Sequence, residues 1–241
     1  MATIDYPVFD ADNHYYETRD AFTRHMEPRL RDKAIHFRTD ASGRDILMIG
    51  ERPFTFLENL FQDRVAPPGM RREYVERAAR LACMDRQGLQ SALMFPTIGV
   101  CVEHFMKHDP EQIWANLRAF NRWLEDDWGF AHRGRIFAAP LLSLLELDRA
   151  VAELDWSVRP VSEHSHPQHG DVFVSPYHEE DIPGLARLIG PSQVLFGSDW
   201  PHPEGMAEPA AFAAELEGLS TAEIAQIMHG NSARLVSGQA L

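Results

Sequence analysis

Short apolar runs rich in valine, isoleucine, leucine and phenylalanine alternate with segments of helical periodicity along this chain. The runs are PVFDA at 7–11, SALMFPTI at 91–98, RIFAAPLLS at 135–143, DVFVSP at 171–176 and VLFGS at 194–198. Runs of this length and composition are typical of buried strands. Because helical segments separate the runs, the pattern predicts an α/β fold in which helices cover a parallel sheet.

Helical periodicity is clearest in the segment 110–127. Four apolar residues share one face of it: Ile113, Leu117, Phe120 and Leu124. Asp109 is suited to be the N-cap of this helix and Pro110 its first residue, so the start of the helix is also predicted. Similar apolar stripes predict helices over 73–88 and 179–189.

The length of 241 residues suits one large domain, and we expect a single domain over 1–241. The segment 23–72 differs from the rest because it is rich in charge, proline and glycine and has weak periodicity. It predicts a long insertion after the first strand, part of which forms a small lobe. Near the end, Ser220 and Glu223 form a capping-box pattern that predicts a last helix.

The composition excludes several classes of partner. The chain has 23 basic and 36 acidic residues and a formal net charge of −13, which repels nucleic acid and anionic lipid. It has no run of eighteen apolar residues and no basic segment ahead of an apolar run, so neither membrane insertion nor export is expected. Two cysteines, Cys83 and Cys101, lack CxxC spacing and fit a reducing cytoplasm.

The end of the first predicted strand carries a carboxylate and an imidazole. Asp12 and His14 are two residues apart, so strand alternation places both side chains on one face. A carboxylate and an imidazole that converge in this way can hold a divalent metal. The same residues also suit a turn cap and an ordinary polar loop residue, and the spacing alone does not decide between these interpretations.

The last predicted strand delivers a second carboxylate. Asp199 directly follows the apolar run 194–198, and Trp200-Pro201-His202 comes next. In a parallel (β/α) barrel, catalytic groups lie at the carboxyl ends of strands. Asp199 would there bind a metal and take a proton from a water molecule that the metal acidifies. The alternative is a helix N-cap or a residue that stabilises a loop.

Several segments together resemble the amidohydrolase superfamily. They are DADNHYYE at 10–17, MDRQGLQSALMFPTIG at 84–99, FNRWLEDDWGF at 120–130, VLFGSDWPHPEG at 194–205 and HGNSARLV at 229–236. They are most similar to the amidohydrolase-related branch, which contains aminocarboxymuconate semialdehyde decarboxylase and related metal-dependent hydrolases. The resemblance implies a TIM-like (β/α) barrel, with Asp12, His14 and Asp199 as metal ligands. Asp12 replaces the more common first histidine.

The chain departs from this family in its middle. Only fourteen residues, 157–170, separate Trp156 from Asp171, where the family has the strands that carry two further histidine ligands. The resemblance therefore implies an incomplete barrel whose central β/α units are missing and replaced by a short junction. An open parallel sheet exposes edge strands, so such a chain is expected to be marginally stable, rearranged or associated with another copy of itself as a homo-oligomer.

Further histidines and one glutamate are candidates for the same site. His164, His166 and His169 lie in the junction and could replace the missing ligands, or they could belong to a solvated connector. Three other residues follow predicted strands at the presumed active face and could bind substrate or carry protons, or be plain surface residues: Glu17, His178 and His202. Phe95-Pro96-Thr97 ends a strand at that face and could shape the pocket.

The interpretation favoured by the sequence is a metal-dependent hydrolase that acts on a small organic molecule through metal-activated water. Zinc is the first choice of metal, with manganese or iron as alternatives. Asp199 would act as metal ligand and general base. One alternative is non-oxidative decarboxylation of a carboxylic acid by the same branch of the family. The other is a catalytically inactive, truncated paralogue.

Overall fold

The computed structural model of this protein describes residues 6–56, 71–158 and 173–237. The strands in chain order are β1 (Phe9–Tyr15), β2 (Ile35–Thr39), β3 (Asp45–Ile49), β4 (Arg52–Pro53), β5 (Ser91–Pro96) and β6 (Ile136–Ala138). The α-helices are α1 (Arg77–Gln87), α2 (Glu103–Met106), α3 (Pro110–Asp127), α4 (Leu147–Val158), α5 (Ile182–Ile189), α6 (Thr221–Ala225) and α7 (Asn231–Ser237). Strands and helices alternate, which confirms the predicted α/β class.

The central sheet is parallel. Strand β5 pairs with β1 on one side and with β6 on the other. The segment 194–200 lies along the opposite side of β1, where the amide of Ala11 donates to the carbonyl of Phe196 at 2.8 Å. Val174 forms a parallel bridge with Val194. The order across the sheet is therefore the segment at 174, the segment 194–200, β1, β5 and β6.

The predicted strand runs at 171–176 and 194–198 are thus neighbours in the sheet. They contribute isolated pairings instead of regular ladders, and residues 171 and 172 lie outside the described part of the chain. The run at 135–143 is also shorter than predicted, since only the three residues of β6 are in strand conformation. The parallel sheet is confirmed, with fewer regular pairs than the apolar runs predict.

Helix α3 has the bounds that its sequence predicts. The side chain of Asp109 accepts a hydrogen bond from the amide of Gln112 at 3.0 Å, which caps the first turn. Helix α1 begins later than predicted, because Arg72–Tyr74 forms a separate 3-10 turn ahead of it. The capping box of Ser220 and Glu223 is present at the start of α6.

The insertion after β1 contains the small antiparallel sheet β2-β3-β4. Its residues Ile35, Leu47 and Ile49 belong to the same buried cluster as the central sheet. The amide of Ile35 donates to Asn116 Oδ1 on α3 at 2.7 Å, so this small sheet packs against the main helix. Residues 57–70 of the predicted insertion lie outside the described residues.

Aromatic side chains from α3 fill the space behind β1. Trp128, which directly follows α3, is buried, and its ring stacks on that of Tyr15 with centroids 5.2 Å apart. Phe120 and Trp123 are fully enclosed. This packing holds β1 rigidly from one side.

A fully buried arginine lies beneath the carboxyl end of β1. Arg80, on α1, donates to Asn13 Oδ1, to the carbonyl of His14 at 2.7 Å and to the carbonyl of Glu73 at 2.6 Å. Its guanidinium carbon lies 4.4 Å from the ring centroid of Trp200. Burial lowers the pKa of Arg80 to about 9, so the side chain remains charged at neutral pH.

No helix in the ranges 6–56, 71–158 and 173–237 has both the length and the apolar character needed to cross a bilayer.

We predict that Arg80→Met lowers the free energy of unfolding by about 2–4 kcal/mol, because one buried acceptor and two partly buried acceptors lose their donor. Arg86→Met is the matched control on the same helix, since the Arg86 side chain is 64% exposed. The control should change the free energy of unfolding by less than about 0.5 kcal/mol. Urea unfolding followed by circular dichroism measures both. Equal effects of the two substitutions would contradict the structural role of Arg80.

Candidate metal centre

Four polar side chains converge at the carboxyl end of the parallel sheet. Asp12 and His14 end β1, while Asp199 and His202 follow the neighbouring segment. The amide of Asp199 donates to the carbonyl of Asp12, and that of His14 donates to the carbonyl of Trp200, both at 2.7 Å. Because the two segments are parallel and directly bonded, their carboxyl ends carry these side chains to one place.

The distances within this group are short. His14 Nε2 lies 3.1 Å from Asp12 Oδ1 and 3.2 Å from Asp199 Oδ1. His202 Nδ1 lies 2.7 Å from the same Asp199 oxygen, and the two imidazole centroids are 4.2 Å apart. The ligand atoms of His14, Asp199 and His202 all lie within 4.8 Å of one another. All three side chains are largely buried.

Two glycines allow this close approach. A Cβ at Gly197 would lie 2.5 Å from the Cβ of Asp12 and 2.3 Å from Ser175 Oγ. A Cβ at Gly205 would lie 2.5 Å from the carbonyl oxygen of Asp199. Asp199 itself has a φ of 55°, a left-handed conformation that aspartate tolerates better than most residues. The backbone at Asp199 therefore has an unfavourable conformation, which the surrounding contacts hold in place.

The carboxylate of Asp10 ties the two segments together. It accepts hydrogen bonds from the amide of Ser198 at 3.0 Å, from the amide of Asp12 at 3.1 Å and from Asn13 Nδ2 at 2.9 Å, and also from the Ser198 hydroxyl. Burial raises the pKa of Asp10 to about 6, although these hydrogen bonds lower it. The sequence interpretation missed Asp10. Its position in the same acidic segment, two residues before Asp12, was the available signal.

The ionisation of His14 reflects its neighbours. Burial lowers the pKa of this imidazole, but the hydrogen bond and charge of Asp12 and the charge of Asp199 outweigh it, so the pKa is raised. A divalent cation bound by Nε2 would have to displace a proton that these carboxylates favour.

Two other candidate residues, Glu17 and His178, lie outside this group. Glu17 is 2% exposed, and its Oε1 accepts hydrogen bonds from the amides of Ile98 and Gly99, each at 2.8 Å. Burial raises the pKa of Glu17 to about 7. His178 lies 3.4 Å from the carboxylate of Glu179. The junction histidines His164, His166 and His169 lie outside the described residues.

The donor set fits a divalent metal. Two of the three predicted ligands, His14 and Asp199, come together, and Asp12 lies beside His14. His202, predicted as a substrate contact, adds a second imidazole nitrogen to the group. Three nitrogen and oxygen donors are the usual number of protein ligands in a catalytic zinc site, and the same donors suit manganese and iron.

We predict that Gly197→Ala lowers the free energy of unfolding by about 1–3 kcal/mol, because the added methyl overlaps Asp12 and Ser175. Gly230→Ala is the control, since a Cβ there would have Gln226 Cγ at 3.8 Å as its nearest neighbour. The control should leave stability unchanged or raise it by up to about 1 kcal/mol. Chemical denaturation of both variants measures the difference. A Gly197→Ala protein as stable as the control would contradict this prediction, because it would show that β1 and the segment 194–200 can move apart with no loss of free energy of unfolding.

The chain is similar to a known protein family and to a solved structure. The model of the family described as amidohydrolase matches residues 95–237, which is more than half of the chain. A crystal structure of an amidohydrolase from Mycobacterium avium subsp. paratuberculosis is 27% identical, with a TM-score of 0.86. The match covers 99% of this chain and 100% of that one.

A crystal structure of an IDCase from Metarhizium anisopliae in its apo form is 14% identical, with 98% of each chain covered and a TM-score of 0.44. No curated protein matches the chain.

The family match over residues 95–237 extends across β6, the segment 194–200 and the closing helices, and it includes Asp199 and His202. The chain therefore belongs to the amidohydrolase family.

Proposed function

We propose that this protein is a metal-dependent hydrolase that acts on a small organic molecule. Members of its family generally use divalent metals. The observation that carries the proposal is the convergence of His14 Nε2, Asp199 Oδ1 and His202 Nδ1 at the carboxyl end of the sheet. In barrel enzymes this edge holds the catalytic groups. The acidic chain and its small polar cluster suit a small-molecule substrate and not nucleic acid.

The proposed roles follow from the contacts. His14, Asp199 and His202 would hold the ion, and Asp12 would complete the set or orient His14 through their 3.1 Å contact. When bound, the ion would acidify a water molecule and polarise an electrophilic group of the substrate. Asp199 is the proposed general base, because its carboxylate lies at the centre of the cluster.

The two remaining candidates would act from the edges of the site. We propose His178 as a substrate contact, because it follows the segment at Val174 at the same end of the sheet. Glu17 is enclosed and bonded to the turn at Ile98 and Gly99, so its proposed influence on the substrate runs through that turn. Zinc is the proposed metal, with manganese or iron as alternatives.

We predict that protein purified without chelators binds about one Zn²⁺ per chain and that Asp199→Asn weakens this binding about tenfold or more. The amide lacks the charge of the carboxylate that two imidazoles contact. Asp155→Asn, at an exposed position on α4, is the control and should bind as the wild type does. Metal analysis and isothermal titration with Zn²⁺ provide the readouts. Absence of metal from all three proteins would support a catalytically inactive paralogue instead.

A decarboxylase is the second candidate within the same family. It is favoured by the similarity of DADNHYYE at 10–17 and VLFGSDWPHPEG at 194–205 to the branch that contains aminocarboxymuconate semialdehyde decarboxylase. The two reactions differ in their products. A hydrolase incorporates oxygen from labelled water, whereas a decarboxylase releases carbon dioxide. A screen of esters, lactones, amides and unsaturated carboxylic acids with both readouts separates them.

We also propose that the barrel is incomplete. A β/α/β unit takes about 30 residues, and fourteen residues, 157–170, cannot supply the three missing units. Within the described ranges, β6 pairs with β5 on one side only. Helix α4, which follows β6 in the chain, exposes Leu147, Val151 and Leu154 on one face, at 65%, 57% and 43%. In a closed barrel the next unit would cover such a face.

We propose that a second copy of the chain covers this face. Two identical apolar faces and two identical edge strands can meet around a twofold axis, which buries both. We predict a dimer at micromolar concentration in light scattering coupled to gel filtration. Val151→Asp should shift the protein toward monomer, whereas Asp155→Asn on the same helix should not. A wild-type monomer would contradict association.

A further inference from the structure

Both ring nitrogens of His202 are engaged. Nδ1 lies 2.7 Å from Asp199 Oδ1, and Nε2 lies 3.1 Å from the hydroxyl oxygen of Thr97. Thr97 is 2% exposed, and its hydroxyl oxygen also lies 2.8 Å from the carbonyl oxygen of Tyr15. Tyr15, Thr97 and His202 therefore form a chain of contacts that runs from the end of β1 to Asp199 in the candidate metal site.

The hydrogen atoms in this chain can be assigned by counting. A threonine hydroxyl has one hydrogen, and a carbonyl oxygen has none to give. The 2.8 Å contact between the oxygens of Thr97 and Tyr15 is attractive only if the hydroxyl hydrogen lies between them. The hydroxyl must then accept at its contact with His202, so Nε2 of the imidazole carries a hydrogen.

This assignment leaves Nδ1 as the ring nitrogen that a metal can bind, because its 2.7 Å contact with Asp199 Oδ1 is attractive only if a proton or a metal ion lies between the two atoms. Nδ1 is the atom that faces Asp199 and belongs to the cluster with His14. Asp199 by itself favours the opposite tautomer, because a carboxylate attracts a hydrogen onto the nitrogen that faces it. Thr97 opposes this preference from the other side of the ring.

We propose that Thr97 is a positioning residue that fixes the tautomer of His202, so that Nδ1 is free to bind the metal. This inference rests on the proposed metal-dependent function, whereas the tautomer itself does not require a metal. A ligating imidazole commonly donates its other N–H to a neighbouring acceptor, and loss of that acceptor weakens metal affinity by about 10–100-fold.

The fold prevents Thr97 from turning away. It follows β5 directly, and Pro96 of β5 is paired with Tyr15 of β1. The next two amides, of Ile98 and Gly99, donate to the buried carboxylate of Glu17 at 2.8 Å each. Thr97 is thus held between a strand pair and a closed turn. Glu17 therefore has a structural role, because its carboxylate fixes the turn that follows Thr97.

The test compares Thr97→Val with Thr97→Ser. Valine keeps the shape but cannot accept from Nε2, while serine keeps the hydroxyl. We expect Thr97→Val to weaken Zn²⁺ binding by about 10–100-fold and Thr97→Ser to restore it to within about threefold of wild type. Thr39→Val, which removes an exposed hydroxyl on β2, should bind as the wild type does. Isothermal titration gives the affinities. Equal affinities of Thr97→Val and wild type would overturn the proposal.

A second readout needs no metal. Nitrogen-15 NMR of the metal-free protein identifies which ring nitrogen of His202 carries the hydrogen. We expect Nε2 to carry a hydrogen in the wild type and in Thr97→Ser, whether or not Nδ1 also carries one, and a shift toward a ring with its hydrogen on Nδ1 alone in Thr97→Val. A wild-type ring with a hydrogen on Nδ1 and none on Nε2 would overturn the inference even if the valine variant fails to fold. Failure of the wild type to bind Zn²⁺, with an Nε2–H ring, would refute the proposed function but not the tautomer assignment.

Discussion

The pairing of β1 with the segment 194–200 creates the site. Backbone hydrogen bonds join Ala11 to Phe196 and Asp12 to Asp199, although these residues are far apart in the chain. The carboxylate of Asp10 reinforces the pairing, because it accepts hydrogen bonds from both segments in a place that water does not reach. Desolvating a carboxylate is costly unless such donors surround it. The candidate metal site inherits its geometry from this junction.

Buried polar groups beneath the site extend the same network. The amide of Asn13 donates to Asp10 and accepts from Arg80, so one side chain bridges a buried acid and a buried base. Arg80 also fixes the carbonyl of His14 from below, while the ring of Trp200 covers its guanidinium. The strand that carries the candidate ligands is therefore held by hydrogen bonds on its inner side and by aromatic packing from α3. A network with satisfied partners is rigid, which a metal site requires.

Local patterns in the sequence were sufficient for much of the fold. The apolar stripe and the capping residues of α3 predicted its bounds, because both depend on neighbours within a few residues. The apolar runs located the strands of the parallel sheet. They overstated its regularity at 194–198, where a glycine and a left-handed aspartate replace a regular ladder. Those features arise from close contact with β1, which no local pattern records.

The sequence by itself determined the α/β class, the family resemblance and the candidacy of Asp12, His14 and Asp199, because strand alternation and strand ends are encoded locally. The tertiary structure decided that His202 turns Nδ1 toward Asp199 and that Thr97 contacts its other nitrogen. It also decided that Asp10 of β1 and Arg80 of α1 are buried and that both bond to the side chain of Asn13. Such side-chain contacts depend on which segments become neighbours in the sheet. The alternation of apolar and polar residues within one strand does not indicate which segment pairs with it.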